Sequence, residues 1–426
     1  MSDTTFLERL FQSYYQEKKN NLPLVSSFEN REFGFIPWHK SIMMRHIGFQ
    51  NKDDLINYII EHPPKHAYSS GTLYEKPDAP TMEEKQYKCC DLIIDIDVDH
   101  FYTSCKEDHD LWTCKECGTH GSGMPDKCPK CGKLKFSKLS WVCDTCLSIA
   151  KKEIQKLVYN FLIPDFNLPE DQMQIAFSGH RGYHLKIENE EIRKLTSDER
   201  REIVDYLTGE NISFEILGLK EASGGIYGLS KENIGWSQKI ITKLEELLQL
   251  PNLSLENLLL DKRTFDLNPK QIKSFITYKA DFYDQIVNKK RNIWSIEGFG
   301  LTVWKKFLQG IVNLINIELD EPVTVDIHRL IRYPGTLHGK TGFKVQELNL
   351  TQLEEFSPLN EKRADLDPIV FISTKHITHK LEITEERVPP TAIKGETWGP
   401  YRKGERIELP HHVAVFLLCK DVAKTL

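Results

Sequence analysis

The run Asp91-Leu92-Ile93-Ile94-Asp95-Ile96-Asp97-Val98-Asp99 decides how the rest of the chain is read. Successive side chains of a β-strand point to opposite faces. Leu92, Ile94, Ile96 and Val98 therefore share an apolar face, while Asp91, Asp95, Asp97 and Asp99 crowd the other. Carboxylates packed on one face repel one another, and aspartate is disfavoured in strands. Such a strand persists mainly where divalent cations neutralise it, and hard oxygen ligands suit Mg²⁺ or Mn²⁺. The alternative is a solvated edge strand whose charges discourage aggregation. A metal-binding acid strand is the working reading.

The 426 residues are enough for two or three domains, and 40% hydrophobic with 28% charged residues is ordinary for a soluble globular protein. The longest apolar run, around Val413–Cys419, falls short of a membrane span. Met1-Ser2-Asp3-Thr4-Thr5 lacks the basic and apolar regions of a signal peptide. The expectation is an intracellular, cytoplasmic protein with no membrane contact. Ten cysteines are present, and six of them form three Cys-x-x-Cys pairs within residues 114–146, which is metal spacing in a reducing compartment. The net charge of −6 offers no global basic field for a polyanion, so local patches or a partner must supply the positive charge.

Outward from the acid strand, residues 1–25 read as a helix ending before Pro23, Arg31–Phe35 as a strand, Asp53–Ile60 as a helix stopped by Pro63-Pro64, and His66–Leu73 as a strand and turn. Leu147–Phe161 carries a helical apolar stripe. Met173–Phe177 and Tyr183–Ile187 read as paired strands. Residues 196–320 are mostly helical in pattern. Val323–Ile327 returns to strand, Pro389-Pro390 begins a linker, and Gly399–Leu426 suggests a hairpin plus a helix over Val413–Leu426.

Cys114-Lys-Glu-Cys117-Gly and Cys128-Pro-Lys-Cys131-Gly, ten residues apart, match a zinc ribbon, with Gly118 and Gly132 allowing the tight turn behind each thiolate pair. Four ligands leave no open position, so the site is structural. Cys143-Asp-Thr-Cys146 needs partners, and Cys105 with His109 offers them as a second, Cys₃His site that carries the ribbon as an insertion. The plainer alternative is a buried Cys105 thiol and a surface His109.

Ser178-Gly-His-Arg181-Gly-Tyr-His184 is a turn whose backbone N–H groups and guanidinium suit an anion, or else a plain hairpin. Asp326, in Thr324-Val-Asp-Ile-His328, sits among β-branched residues, where a carboxylate needs a cation or an ion pair with Arg329 or Arg332. Arg332-Tyr-Pro-Gly-Thr-Leu-His338-Gly-Lys340 groups cations beside a turn. Paired carboxylates with a cationic cradle suggest two-metal phosphoryl transfer of the nucleotidyltransferase kind, whereas a nuclease needs no triphosphate cradle.

Asp95-Ile-Asp97 after an apolar run, SGHRGYH at 178–184 and TVDIHRLIRYPGTLHGKTG at 324–342 resemble the archaeal branch of the archaeo-eukaryotic primase small catalytic subunit, as do REFGF at 31–35 and AYSS at 67–70. The resemblance spans about residues 1–350. It implies a DNA-templated polymerase that starts RNA primers, or RNA and DNA primers, de novo from NTPs or dNTPs on single-stranded DNA, as the catalytic partner of a primase large subunit. It implies Asp95, Asp97 and Asp326 as ligands of two Mg²⁺ or Mn²⁺ ions, choosing Asp95/Asp97 over Asp97/Asp99. Ser178, Arg181 and His184 would hold the triphosphate with Arg332 and His338, and Arg31, Tyr68 and Ser69 would lie near the site. His180 receives no phosphate role. The family's zinc knuckle falls where Cys105, His109, Cys143 and Cys146 lie, so one or two structural Zn²⁺ ions are expected. The implied fold is α/β of the α+β type: a mixed-sheet catalytic core in two parts (1–195, with the zinc insert 105–146, and 321–388), a helical subdomain (196–320), and a linker with a small module (389–426). That tail is similar to the small domain of archaeal GINS subunits, which implies docking to replisome proteins. Rival readings are a repair or mobile-element primase-polymerase, a non-catalytic zinc-ribbon adaptor and a metal-dependent nuclease.

Overall fold

The structure is a computed structural model describing residues 2–123, 125–289, 291–373, 375 and 377–426. The chain divides into two compact units, the first comprising residues up to Val158, Leu168–Glu202 and everything from Glu318, the second Tyr159–Asn167 and Ile203–Ile317. The fold is α/β, and all strand pairings among the described residues are antiparallel. Among the described residues no helix is long and apolar enough to cross a membrane.

The two largest sheets lie in the first unit. β1 (Arg31–Ile36), β2 (Met44–Ile47), β3 (His66–Tyr74) and β4 (Tyr87–Cys90) join the strand Leu330–Arg332 in one sheet, with β3 central. The second sheet runs, in spatial order, Gln346–Leu348, β9 (Met173–Phe177), β10 (Gly182–Ile187) and β5 (Leu92–Asp97), while β6 (Leu111–Cys114), β7 (His120–Ser122) and β8 (Phe136–Leu139) form a small separate sheet in the cysteine insert. Leu92, Ile94 and Ile96 bury the apolar face of β5 completely or nearly so, and the helix Asp144–Leu157 packs its buried stripe of Leu147, Ala150 and Ile154 against β5 and β10. Burial of such side chains, worth roughly 1.5–3 kcal/mol each, holds the opposite, acidic face in place.

The four aspartates do not stay together. The strand ends at Asp97, and Asp99 lies on a 3₁₀ turn, Val98–His100. Asp91 is fully buried, paired to Arg31 Nη2 at 2.7 Å and Arg193 Nε at 2.6 Å. It joins the two sheets, with its N–H donating to Gly71 O at 3.0 Å. Only Asp95 and Asp97 remain uncommitted to such a pair.

Two expectations need correction. Val323–Ile327 is no strand: Glu321–Val325 forms a short helix capped by Asp326. Pro322 in its first turn, preset to helical φ, outweighs the β-branched run, and Val323 and Thr324 are buried while the helix packs on β5. Pro389-Pro390 begins no linker, because the closing module already starts with the strand Thr378–Ile383, which pairs with Arg406–Pro410 and Ala423–Thr425. Its helix, His411–Cys419, is buried from Val413 onward, with Phe416 stacked on Phe343 at 5.5 Å and edge-on to Trp141 at 5.4 Å. The tail therefore belongs to the first unit, and its apolar helix is spent on packing rather than free for docking.

The second unit is mostly helical, with Trp236–Gln249, Asn252–Leu259, Pro269–Tyr283 and Leu301–Ile315 enclosing an aromatic core. Phe275 lies 4.5 Å from Phe307, and Trp294 lies 5.0 Å from Trp304. A capping box at Asn268 and Gln271 starts its third helix.

Candidate active site

The antiparallel register of β10 on β5 places His184 opposite Asp95 and Gly182 opposite Asp97. Across from them, the register of Leu330–Arg332 on β3 puts Arg332 beside Tyr68. Between these walls lies a cleft of about 210 Å³ lined by Tyr68, Asp95, Asp97, Ser178, His184, Arg332 and His338 among others. The turn from β9 to β10 comes this close only because two of its residues lack a Cβ. One on Gly182 would fall 2.3 Å from Ile96 O, and one on Gly179, at φ +80°, would fall 2.7 Å from His338 Cβ.

The acidic wall is electrostatically strained. His184 Nε2 stands 3.2 Å from Asp95 Oδ1, yet off line, so this buried oxygen has no hydrogen-bond partner. Burial, and then the neighbouring Asp95 carboxylate, push Asp97 above the usual carboxylate range. Asp97 Oδ1 accepts from the Asp99 N–H at 2.9 Å. An orphaned buried oxygen beside a second desolvated carboxylate is a donor set that a hard divalent cation fits.

The opposite wall is cationic and aromatic. Arg332 lies over the Tyr68 ring at 4.6 Å and donates from Nη1 to His66 Nδ1 at 2.5 Å. The His66 and His338 rings meet edge to face at 4.8 Å, and His338 stacks on His180 at 5.1 Å. Burial, followed by the Arg332 charge, keeps His66 and His338 well below the ordinary imidazole range. They act as neutral donors or acceptors rather than as added charge.

Of the residues expected at the site, Asp95, Asp97, Ser178, His184, Arg332, His338 and Tyr68 line the cleft. Ser69 is buried in β3 just behind it, and Arg31 is committed to Asp91. Arg181 is a correction. It is 1% exposed and turned away from the cleft, with Nη1 donating to both Asp110 oxygens at 2.7 and 2.8 Å and to Trp141 O, and Nη2 paired with Asp99. The paired carboxylates of Asp110 and Asp99 draw the guanidinium to that side.

Asp326 is the second correction. It is exposed, accepts from the His328 N–H at 2.8 Å, and its charge is felt by Arg45 rather than by the acid strand. Asp320 takes the expected place. Its N–H donates to Asp95 O at 2.9 Å, its side chain is 11% exposed, and the Asp95 and Asp97 carboxylates add to burial in raising its pKa, opposed by His100. Asp320, His66 and His180 are the site residues that sequence reasoning missed.

The two cysteine clusters assemble as expected from their spacing. Cys105, His109, Cys143 and Cys146 bring their donors within 4.8 Å of one another, as do Cys114, Cys117, Cys128 and Cys131, and so do Asp97, Asp99 and His180. Sulfur separations of 3.3 Å (Cys105–Cys146) and 3.6 Å (Cys114–Cys131 and Cys117–Cys128) are too long for disulfides. They approach the edge of about 3.8 Å that a tetrahedral Zn–S₄ centre has. Cys143 caps the helix Asp144–Leu157, and hydrogen bonding from Cys146 and then from His109 pulls its thiol down to about 3. His109 Nδ1 is 2.9 Å from Asp110 Oδ1, the carboxylate that orients a metal-binding imidazole.

A family model for the DNA primase small subunit matches residues 126–350. The chain is 32% identical to the DNA primase small subunit PriS of Methanothrix thermoacetophila, over 99% of this chain and 98% of the relative. It is 30% identical to that of Methanocella arvoryzae, over 99% of both, and 31% identical to that of Methanococcoides burtonii, over 98% of this chain and 97% of the relative. With a cleft in which an acidic strand edge faces a cationic wall, and with relatives that match end to end, the chain belongs to the archaeal-type DNA primase small subunit family.

Proposed function

We propose that the chain is a DNA-templated nucleotidyltransferase that begins short RNA primers, and DNA ones where dNTPs are taken, without a pre-existing 3′ end. It would do so as the catalytic partner of a primase large subunit. The observation that carries this reading is the cleft itself, in which Asp95 and Asp97 face Ser178, His184, Arg332 and His338. Carboxylates alone would serve a nuclease; the opposed cationic wall is what a triphosphate requires.

Asp95, Asp97 and Asp320 would hold two Mg²⁺ or Mn²⁺ ions. Bound there, the ions supply charge neutralisation at the α-phosphate and acidify the attacking 3′-hydroxyl. The chain's own groups do the positioning. Arg332, braced on Tyr68 and His66, offers a planar fork to phosphate oxygens. Ser178 and the neutral His338 add directional hydrogen bonds. His184, fixed opposite Asp95 by the sheet register, keeps the carboxylate and the phosphates apart. Arg181 acts from behind by holding Asp99 and the strand end.

Template contact falls to the ribbon. Lys115, Lys127, Lys130, Lys133, Lys135 and Lys138 are all exposed there, against only Glu116 and Asp126. In a chain of net charge −6 this is a local patch suited to a single strand's phosphates.

The test is incubation with single-stranded DNA, NTPs and Mg²⁺ or Mn²⁺, with and without the large subunit. Labelled oligonucleotides formed with no added primer are expected, and nucleotide release without NTPs would instead indicate a nuclease. Asp320→Asn should lower the rate by at least about a hundredfold, as loss of a metal ligand does. Asp326→Asn should stay within about twofold of wild type, as an exposed side chain away from the chemistry would. The reverse ranking would return the third-ligand role to Asp326.

A further inference from the structure

We propose that Lys420 is a positioning residue of the cleft, its Nζ holding the His180 ring in the orientation in which that ring walls the nucleotide site. The inference rests on the reading of the cleft as the nucleotide site.

Lys420 caps the buried helix His411–Cys419 and is itself 7% exposed. Its Nζ donates to Ser140 O at 2.7 Å and lies 2.8 Å from His180 Nε2. A carbonyl can only accept, so Nζ donates to Ser140, and the 2.8 Å contact makes the His180 ring the second partner of the same amine. The Trp141 and Phe416 rings flank Nζ at 6.0 and 5.7 Å. Among the described residues, Lys420 is in none of the first unit's ion pairs. Enclosing a lysine without a carboxylate is costly. Anchoring the tail does not call for it, because Val413–Cys419 already do so with apolar contacts.

What the lysine does touch is the end of a continuous row. His180 stacks on His338 with an interplanar angle of 10°, His338 meets His66, and His66 accepts from Arg332. Both His180 and His338 line the cleft. The row is thus fixed at one end by an arginine and at the other by a lysine from a segment 240 residues further along the chain. An anion entering the cleft meets rings already oriented, braced from behind by the Lys420 amine, which fits the triphosphate of a nucleotide.

The experiment is a double-mutant cycle on the full chain with its large subunit, measuring kcat and KM for ATP in extension of a primed template. Lys420→Met and His180→Asn should each raise KM about tenfold, the value of one well-made hydrogen bond, with kcat within about threefold and zinc content unchanged. Because the two act as a unit, the double variant should be no worse than the poorer single. Lys420→Gln, which keeps a donor for the Ser140 carbonyl, is the second variant should Lys420→Met not fold. A wild-type KM in a folded Lys420 variant or in His180→Asn, or multiplicative effects in the double variant, overturns the proposal. Asp95→Asn separates this from the reading beneath it. If that variant is inactive while a Lys420 variant has normal KM, only the positioning role fails; if it stays active, the cleft reading itself fails.

Discussion

The two cysteine clusters share one chemistry and differ in what surrounds them. Cys105, His109, Cys143 and Cys146 are wired into the site: His109 is held by Asp110, Asp110 by Arg181, and Arg181 by Asp99 at the end of the acid strand. Cys114, Cys117, Cys128 and Cys131 stand on a three-stranded sheet with a core of little more than Trp112, Cys114 and Cys128, against which Phe136 packs. The first cluster is tied by these contacts to the end of the acid strand. The second is a self-contained knob whose outer surface is lysine. Metal content alone would not tell them apart; their neighbours do.

Substitutions can break or sharpen this contrast. Cys143→Ala should have the largest effect, removing the helix cap and a ligand together, with loss of one zinc, lowered thermal stability and a fall of about a hundredfold or more in primer synthesis. Equal activity with one zinc missing would end the idea that this cluster is wired to the site. Asp110→Asn should keep both zinc ions and still lower kcat by about tenfold or more, since Arg181 loses its buried counter-charge. Cys128→Ser should likewise cost one zinc, but at saturating template its rate should stay within about threefold. The smallest effect is electrostatic. Replacing Lys130, Lys133 and Lys135 by Gln should leave kcat alone and flatten the dependence of log template affinity on log salt by about 2, from a slope of about 0.7 per phosphate contact on a single strand. An unchanged slope would remove the ribbon from template binding.

Local patterning made much of this visible beforehand. The alternation in β5 and the glycine turn before β10 located the acid wall and its partner strand, and cysteine spacing located both clusters. What stayed hidden depends on which way a side chain faces. Asp326 lies in the segment TVDIHRLIR that carries the family resemblance and reads as strand, whereas Asp320 sits at the end of a helical pattern and looks like a surface residue. Only the short helix Glu321–Val325, turned by Pro322, carries Asp320 onto Asp95. Arg181 carries the right charge at the right turn but faces inward, toward Asp110, a carboxylate that no local pattern pairs with it. His66 and Lys420 come from remote segments, and no periodicity links them to residues 178–184.

The bond from the Asp320 N–H to Asp95 O, at 2.9 Å, closes the free edge of β5 with a segment 225 positions downstream. A polypeptide emerging from the ribosome therefore has its first two acids long before the third, and the strand that bears them stays unprotected until that segment arrives. Loop closure over such a span is slow relative to local structure. The cleft should consequently be among the last parts to mature, and a chain stalled before residue 320 should be an aggregation-prone intermediate without a formed cleft.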